Sequence, residues 1–186
     1  MVSCENQTIL FNKEGFIFSR IKKNHYKLEF TMENNNINIS KIIDFNLVKL
    51  IYDLNPDVYE KTVIKIINKY EAVFTALLKH FGEDLGLPQN YSFLNMKLIN
   101  EEKRIIIKSQ SIYSYKPEWI PSDAELMKID ELKSICNIIT PHNVAFTCLV
   151  TFNPESNIPT FAEKMVGVIL FKIFKRVKQF IENVRI

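Results

Sequence analysis

The sequence predicts an α+β domain, and three observations carry that reading. Short stretches that alternate apolar and polar residues recur along most of the 186 residues, which is the signature of half-buried strands. One patch near residues 40–54 has helical spacing behind a residue suited to an N-cap. The last stretch, Asn157–Ile186, repeats apolar residues at three- and four-residue steps, which is the pattern of a helix. Three early strands, a helix, several further antiparallel strands and a long closing helix make an α+β layout.

Taken in order, Gly15–Ile21 (GFIFSRI) and Tyr26–Met32 (YKLEFTM) are the first two strands, with Tyr26, Leu28, Phe30 and Met32 sharing one face. Asn34–Asn36 is a turn, and Ile37 and Ile39 suggest a third short strand. Ser40 is a suitable N-cap for a helix through Ile42, Ile43, Phe45, Leu47, Val48 and Ile51, which Asn55–Pro56 stops. Tyr59–Phe81 reads two ways: an amphipathic helix, or two strands with a turn near Lys69. Its β-branched and aromatic residues tilt it toward strands. Gly82–Asn90 (GEDLGLPQN) is a loop, and Tyr91–Ile99 and Arg104–Tyr113 are strands joined by the turn Asn100–Lys103. Tyr115–Ala124, with Pro117 and Pro121, is an extended crossing. Leu132–Thr140 and Val144–Phe152 make a hairpin, and a symmetric turn at His142 would set Cys136 against Cys148 and Ile138 against Phe146. That pair could place a disulfide, but it reads as buried free thiols.

The closing helix has an apolar share too large for a surface stripe. From Met165 to Phe171 it covers every side, so this part is buried or faces lipid. It does not read as a membrane span, because Lys164 and Lys172 leave only seven residues between them, against about 20 needed. Lys172, Lys175, Arg176, Lys178 and Arg185 make its later turns basic. Gly167 stands inside it, where glycine costs roughly 1 kcal/mol relative to alanine. Either a strand approaches closely there or space is kept for a ligand.

Composition excludes several classes. A 47% hydrophobic chain with 14 Phe and 7 Tyr is not disordered, and 4 Gly leave no Gly-rich phosphate cradle. A net charge of +3, without a dense basic run interleaved with aromatics, does not suggest nucleic acid. Cys4, Cys136 and Cys148 form neither a disulfide framework nor a metal set. His25, His80 and His142 are scattered, and no HExxH or GxSxG occurs, so no catalytic residue, metal or cofactor is expected. MVSCENQTILF has no continuous apolar run, and no signal peptide is read there. One domain spanning residues 1–186 is expected.

The order of several segments resembles the START domain, a lipid-transfer module. The loop GLPQNYSFLNM precedes a strand, IIIKSQS leads into the Pro-Glu crossing IYSYKPEWIP, and FTCLVTFNPESNIPTF runs from the final strand into the closing helix. Pro88–Ser92, Ser111–Glu118 and Asn153–Phe161 stand where that family carries its recurring motifs. The resemblance spans about Phe16–Val184 and implies a helix-grip fold, a curved antiparallel sheet wrapped around a long C-terminal helix with a lipid-sized tunnel between them. It also favours strands for Tyr59–Phe81. Two departures accompany it. Nothing before Phe16 supplies the family's N-terminal helix, and Gln89-Asn90 and Ala76 replace the charged groups that the steroid carrier of the family holds in its pocket.

The resemblance implies binding and intermembrane transfer of a lipid, with a glycerophospholipid preferred over a sterol. The alternatives are a non-transferring interaction or sensing module of the same fold, or a helix-grip enzyme acting on a hydrophobic small molecule. Acyl chains are expected among Phe74, Leu78, Phe93, Ile107, Phe146, Cys148 and Val150, facing Val166, Gly167, Leu170 and Phe174 of the helix. Gln89, Asn95 and Ser109 are the headgroup candidates, and Gly82, Leu85, Gly86 and Leu87 the gate. The expected setting is cytoplasmic and peripheral to membranes, as a monomer in transient contact with a membrane surface, with room for a targeting segment elsewhere in a longer chain.

Overall fold

Alternating side chains give the chain a sheet whose two faces differ. The computed structural model describes residues 7–81, 83–156, 158 and 160–185. In it the chain forms β1 (Thr8–Lys13), β2 (Phe16–Lys22), β3 (His25–Glu33), α1 (Phe45–Asp53), β4 (Tyr59–Asn68) and β5 (Glu71–Leu78). It continues through β6 (Asn90–Glu101), β7 (Arg104–Ser111), β8 (Glu125–Leu126), β9 (Ile129–Thr140), β10 (Asn143–Phe152) and α2 (Thr160–Asn183). Nine strands lie in the order β1-β2-β3-β10-β9-β7-β6-β5-β4, each antiparallel to its neighbours, and β8 adds a short parallel pairing to β6. The sheet curves, and α2 lies along its inner face with α1 beside it.

That inner face is the core. Phe16, Phe18, Tyr26, Leu28, Phe30 and Met32 from β2 and β3 are buried, as are Val144, Phe146, Cys148 and Val150 from β10. Ile173, Phe174, Val177 and Ile181 complete it from α2. Phe30, Phe146 and Phe174 meet at centroid distances of 4.7, 5.6 and 4.9 Å. The outer face has a smaller cluster, where Ile120 and Ala124 of the Pro-rich crossing cover Leu77, Tyr91 and Phe93.

The α+β, helix-grip architecture is as the sequence predicts, and Tyr59–Phe81 contains two strands. Other local expectations need correction. Ile37 and Ile39 are not a strand; Ile39–Lys41 is a 3₁₀ turn, and both isoleucines are buried by packing rather than by pleat. Ser40 does not cap α1. Asp44 does, its side chain accepting from the N–H groups of Asn46 and Leu47, while Ser40 donates to Asn38 Oδ1 at 2.6 Å. β1 was not foreseen, because Ile9-Leu10-Phe11 is an unbroken apolar run, accommodated by a register shift against β2. The β9–β10 hairpin also turns differently: a shift after Asn143 pairs Phe146 with Cys136 and Cys148 with Ser134. Cys136 and Cys148 are therefore offset, and both are free and buried.

Candidate functional site

Where sheet and helices meet, the core does not close. A cavity of about 210 Å³ remains, floored by β3, β5–β7, β9 and β10 and roofed by α1 and α2. Leu47, Val48, Ile51 and Tyr52 reach it from α1, and Val166, Ile169, Leu170, Ile173, Phe174 and Val177 from α2. Protein interiors pack close to crystal density, with few voids larger than a water molecule, so a space of this size is a feature of the fold. The helix spacing explains how it is lined: Val166, Ile169, Leu170, Ile173 and Val177 follow three- and four-residue steps along one stripe.

Among the described residues, none with a charged side chain lines the cavity. The polar lining is confined to Tyr52, Tyr59, Ser92, Ser109, Ser134 and the thiols of Cys136 and Cys148. Tyr52 stacks on Phe74 at 4.0 Å and meets Tyr59 edge-on at 4.9 Å. Burial pushes both phenols above the usual tyrosine range. It also pushes the Cys136 and Cys148 thiols up to about 12. The wall is thus neutral at physiological pH.

Polar anchors hold the roof in place from outside this space. At the start of α2 the buried Glu163 accepts a hydrogen bond from Tyr26 Oη at 2.9 Å and from Arg20 Nη1 at 3.0 Å. Arg176 donates to Asn55 Oδ1 at 3.1 Å and through Nη2 to Asp57 Oδ2 at 3.1 Å, and Lys172 pairs with the same carboxylate. Those two cations, Arg176 first, hold the Asp57 carboxyl well below the usual carboxylate range. At the far end Asn34 Nδ2 donates to the carbonyls of Ile181 and Val184 at 2.6 and 2.8 Å, satisfying the helix terminus. The basic turns of α2 are therefore largely compensated, since Lys175 pairs with Glu14 and Lys178 with Glu182. They do not present the bare cationic surface that the sequence suggested.

The structure brings Phe74, Leu78, Ile107, Ser109, Phe146, Cys148, Val150, Val166, Leu170 and Phe174 together around the cavity. Four expected residues lie elsewhere. Phe93 and Asn95 fall on the outer face of β6, where Phe93 is buried under the Pro-rich crossing; Ser92, Leu94 and Met96 line the cavity instead. Gln89 is spent on Glu60 Oε2 and the Leu78 carbonyl, both at 2.8 Å. Gly167 faces Phe18: an added Cβ would lie 2.6 Å from two of its ring carbons, so this glycine serves close packing. In the expected gate, Gly82 and the side chain of Leu85 lie outside the described residues. Glu83–Leu85 is a 3₁₀ turn, Gly86 has φ +68°, and Leu87 is exposed, its carbonyl accepting from His80 Nε2 at 2.6 Å.

Sequence reasoning missed Tyr52 and Tyr59. Tyr52 follows Val48 and Ile51 on the apolar stripe of α1, a spacing that could have found it. Tyr59 was hidden by a register shift: Tyr59 opposes Leu78 and Lys61 opposes Leu77, so the residue between them is bulged. Strict alternation would have sent Tyr59 outward with Lys61.

No family model matches the chain, and no curated protein does. Solved structures do. Human STARD10 superposes with a TM-score of 0.68 at 12% identity, over 93% of this chain and 71% of that one. The lipid transfer and protein localization domain of human StarD13 matches at 0.68 and 8% identity, over 97% and 91%. A STAR-related lipid transfer protein from Xanthomonas axonopodis gives 0.68 at 12%, over 94% and 98%. Identities this low speak for architecture alone: the chain has the START-type helix-grip fold.

Proposed function

We propose that this chain binds a lipid in the cavity beneath α2 and moves it between membranes without chemical change. The cavity carries the reading: an uncharged, largely apolar space of about 210 Å³ is left open between sheet and helices. An interaction module of the same fold would fill that space with side chains. Two of the similar structures are named for lipid transfer, which supports the reading. Each methylene taken from water into such a space contributes about 0.8 kcal/mol, so a single chain supplies several kcal/mol of binding.

A glycerophospholipid is the ligand that the family resemblance favours. Its phosphate would find no cation in this cavity, so it would keep its headgroup at the mouth and insert acyl carbon only. Entry requires a wall to move, and the loop of residues 82–89 is the proposed gate, with exposed Leu87 at its end. Among the described residues no helix is long and apolar enough to cross a membrane, so contact with a bilayer would be made by surface elements such as this loop.

Native mass spectrometry of the purified chain with lipid extraction, followed by transfer between phosphatidylcholine vesicles, tests the proposal. A co-purified or exchangeable lipid, and faster transfer in the presence of the protein, are expected. Changing Leu85 and Leu87 together to Ser should slow transfer and leave equilibrium binding near the parent value. A chain that neither carries nor exchanges any lipid is not a carrier.

A further inference from the structure

The polar atoms in the cavity wall carry more information than the apolar ones. A buried hydroxyl without a partner is unfavourable, and native interiors rarely tolerate one. Tyr52 and Tyr59 stand side by side against the cavity, rings 4.9 Å apart, each partly buried in its wall. Both lie in the field of Cys148 across the space. Cys148 is opposite Ser134 in the sheet, and both line the cavity. The two phenols, Ser134 and Cys148 are among the few neutral polar groups in a wall made largely of hydrocarbon. Packing alone does not call for the two phenols, because phenylalanine would fill either site.

Size narrows the occupant. The cavity, at about 210 Å³, is somewhat larger than the roughly 150 Å³ engineered cavity that holds benzene. It is smaller than the roughly 300–1,000 Å³ pockets that enclose drug-sized molecules. That suits one hydrocarbon chain with a small head, and neither a second chain nor a fused ring system. Charge narrows it further, since an ionised head would be desolvated with no counter-ion in the wall.

We infer that the cavity selects a single-chain lipid alcohol, whose hydroxyl exchanges hydrogen bonds with Tyr52 and Tyr59 while its chain lies under Val166, Leu170 and Phe174. This rests on the carrier reading and puts a single-chain alcohol in place of the glycerophospholipid that the family resemblance favours. A ligand hydroxyl placed there would take over hydrogen bonding that water otherwise supplies and bring its chain out of solvent in the same step.

The test uses the full chain stripped of lipid, with 1-dodecanol, dodecane, dodecanoate at pH 8 and cholesterol, each delivered from cyclodextrin. Binding is read by native mass spectrometry and calorimetry. Dodecanol should bind at least about a hundredfold more tightly than dodecanoate, because the carboxylate must be buried unpaired, and more tightly than cholesterol. Tyr52→Phe and Tyr59→Phe, singly and together, should each weaken dodecanol about three- to tenfold, the range of one hydrogen bond. They should leave dodecane unchanged and the melting temperature level or higher. Dodecanoate or cholesterol binding as well as dodecanol would overturn the inference, and so would a dodecanol-to-dodecane ratio unmoved by the substitutions. The comparison of alcohol with carboxylate decides the matter in the parent protein even where a variant misfolds. Failure of dodecanol to bind would also overturn the inference, while the carrier reading itself falls only if the parent chain neither carries nor exchanges vesicle lipid.

Discussion

Replacing Gly167 with alanine sets two effects of known size against each other. In a helix interior alanine is favoured over glycine by roughly 0.5–1 kcal/mol, so a solvent-facing site would gain stability. Gly167 is not such a site. A Cβ built on it lies 2.6 Å from Phe18 Cδ1, 2.6 Å from Phe18 Cε1 and 3.0 Å from Phe11 Cε1. The Phe18 ring cannot easily withdraw, being fully buried and stacked between Phe11 at 5.4 Å and Tyr26 at 5.8 Å. Overpacking of this kind costs about 1–3 kcal/mol, so the clash outweighs the propensity and Gly167→Ala should lose about 1 kcal/mol net. For a chain of this length that is a fall in melting temperature of about 2–4 °C, measurable by circular dichroism and checked by the urea midpoint. Phe18→Leu supplies the control. In that background the alanine should lose its penalty, giving a coupling of about 1 kcal/mol in the double-mutant cycle. A Gly167→Ala protein more stable than the parent, or a cycle with no coupling, would refute the close-packing assignment. Gly167→Trp should not fold, since the indole would have to displace Phe18 from the core.

Two further outcomes follow from the same physical reasoning. Asp57→Asn should destabilise the chain at pH 7 by up to about 1 kcal/mol, the scale of an exposed ion pair. Arg176 and Lys172 depress the Asp57 carboxyl, so its contribution is fully present above the unfolded value near 3.9 and is lost as pH falls toward the depressed folded value; the gap between parent and variant in urea titrations should therefore start to narrow at about pH 4 and keep narrowing as the solution is acidified further. Cys136 and Cys148, with thiols pushed up to about 12 by burial, should resist iodoacetamide at pH 8 in the folded chain and react once urea unfolds it, as peptide mapping would register.

Much of the architecture can be read from the sequence because single-sided burial leaves a period. β2 and β3 bury one face, so Phe16 and Phe18, then Tyr26, Leu28, Phe30 and Met32, appear at alternate positions. α2 buries a stripe, and its spacing survives even where Val168 and Phe180 face solvent. The reading fails where both faces of an element are covered. On β6, Tyr91 and Phe93 are as buried as Ser92 and Leu94, because the Pro-rich crossing lies over the outside. Alternation then cannot say which parity faces the cavity, and the aromatic side chains suggest the wrong one. It fails again at bulges, such as those beside Tyr59 and Asn143, where one extra residue inverts the phase of everything beyond it. The cap of α1 was misplaced for a different reason: Ser40 and Asp44 both suit an N-cap, and only the path of the chain from the 3₁₀ turn decides between them.

The anchors of α2 bear on how a ligand could enter. Its later turns are tied at several points: Arg176 and Lys172 to Asp57, Lys175 to Glu14, Lys178 to the Thr31 carbonyl, and the final carbonyls to Asn34. Among the described residues its first turn is held through Glu163, whose partners Arg20 and Tyr26 stand on β2 and β3. The stretch between these two sets contains Val166, Ile169 and Leu170, the residues that roof the cavity. It also contains Gly167, locked against Phe18 on the same side of the sheet as the Glu163 anchor. Swinging the start of α2 outward would break a buried carboxylate's hydrogen bonds and part Gly167 from Phe18 together. Residues 83–87, by contrast, form a short turn with no strand pairing and an exposed Leu87. That asymmetry supports the proposed gate at this turn, with α2 as the fixed roof.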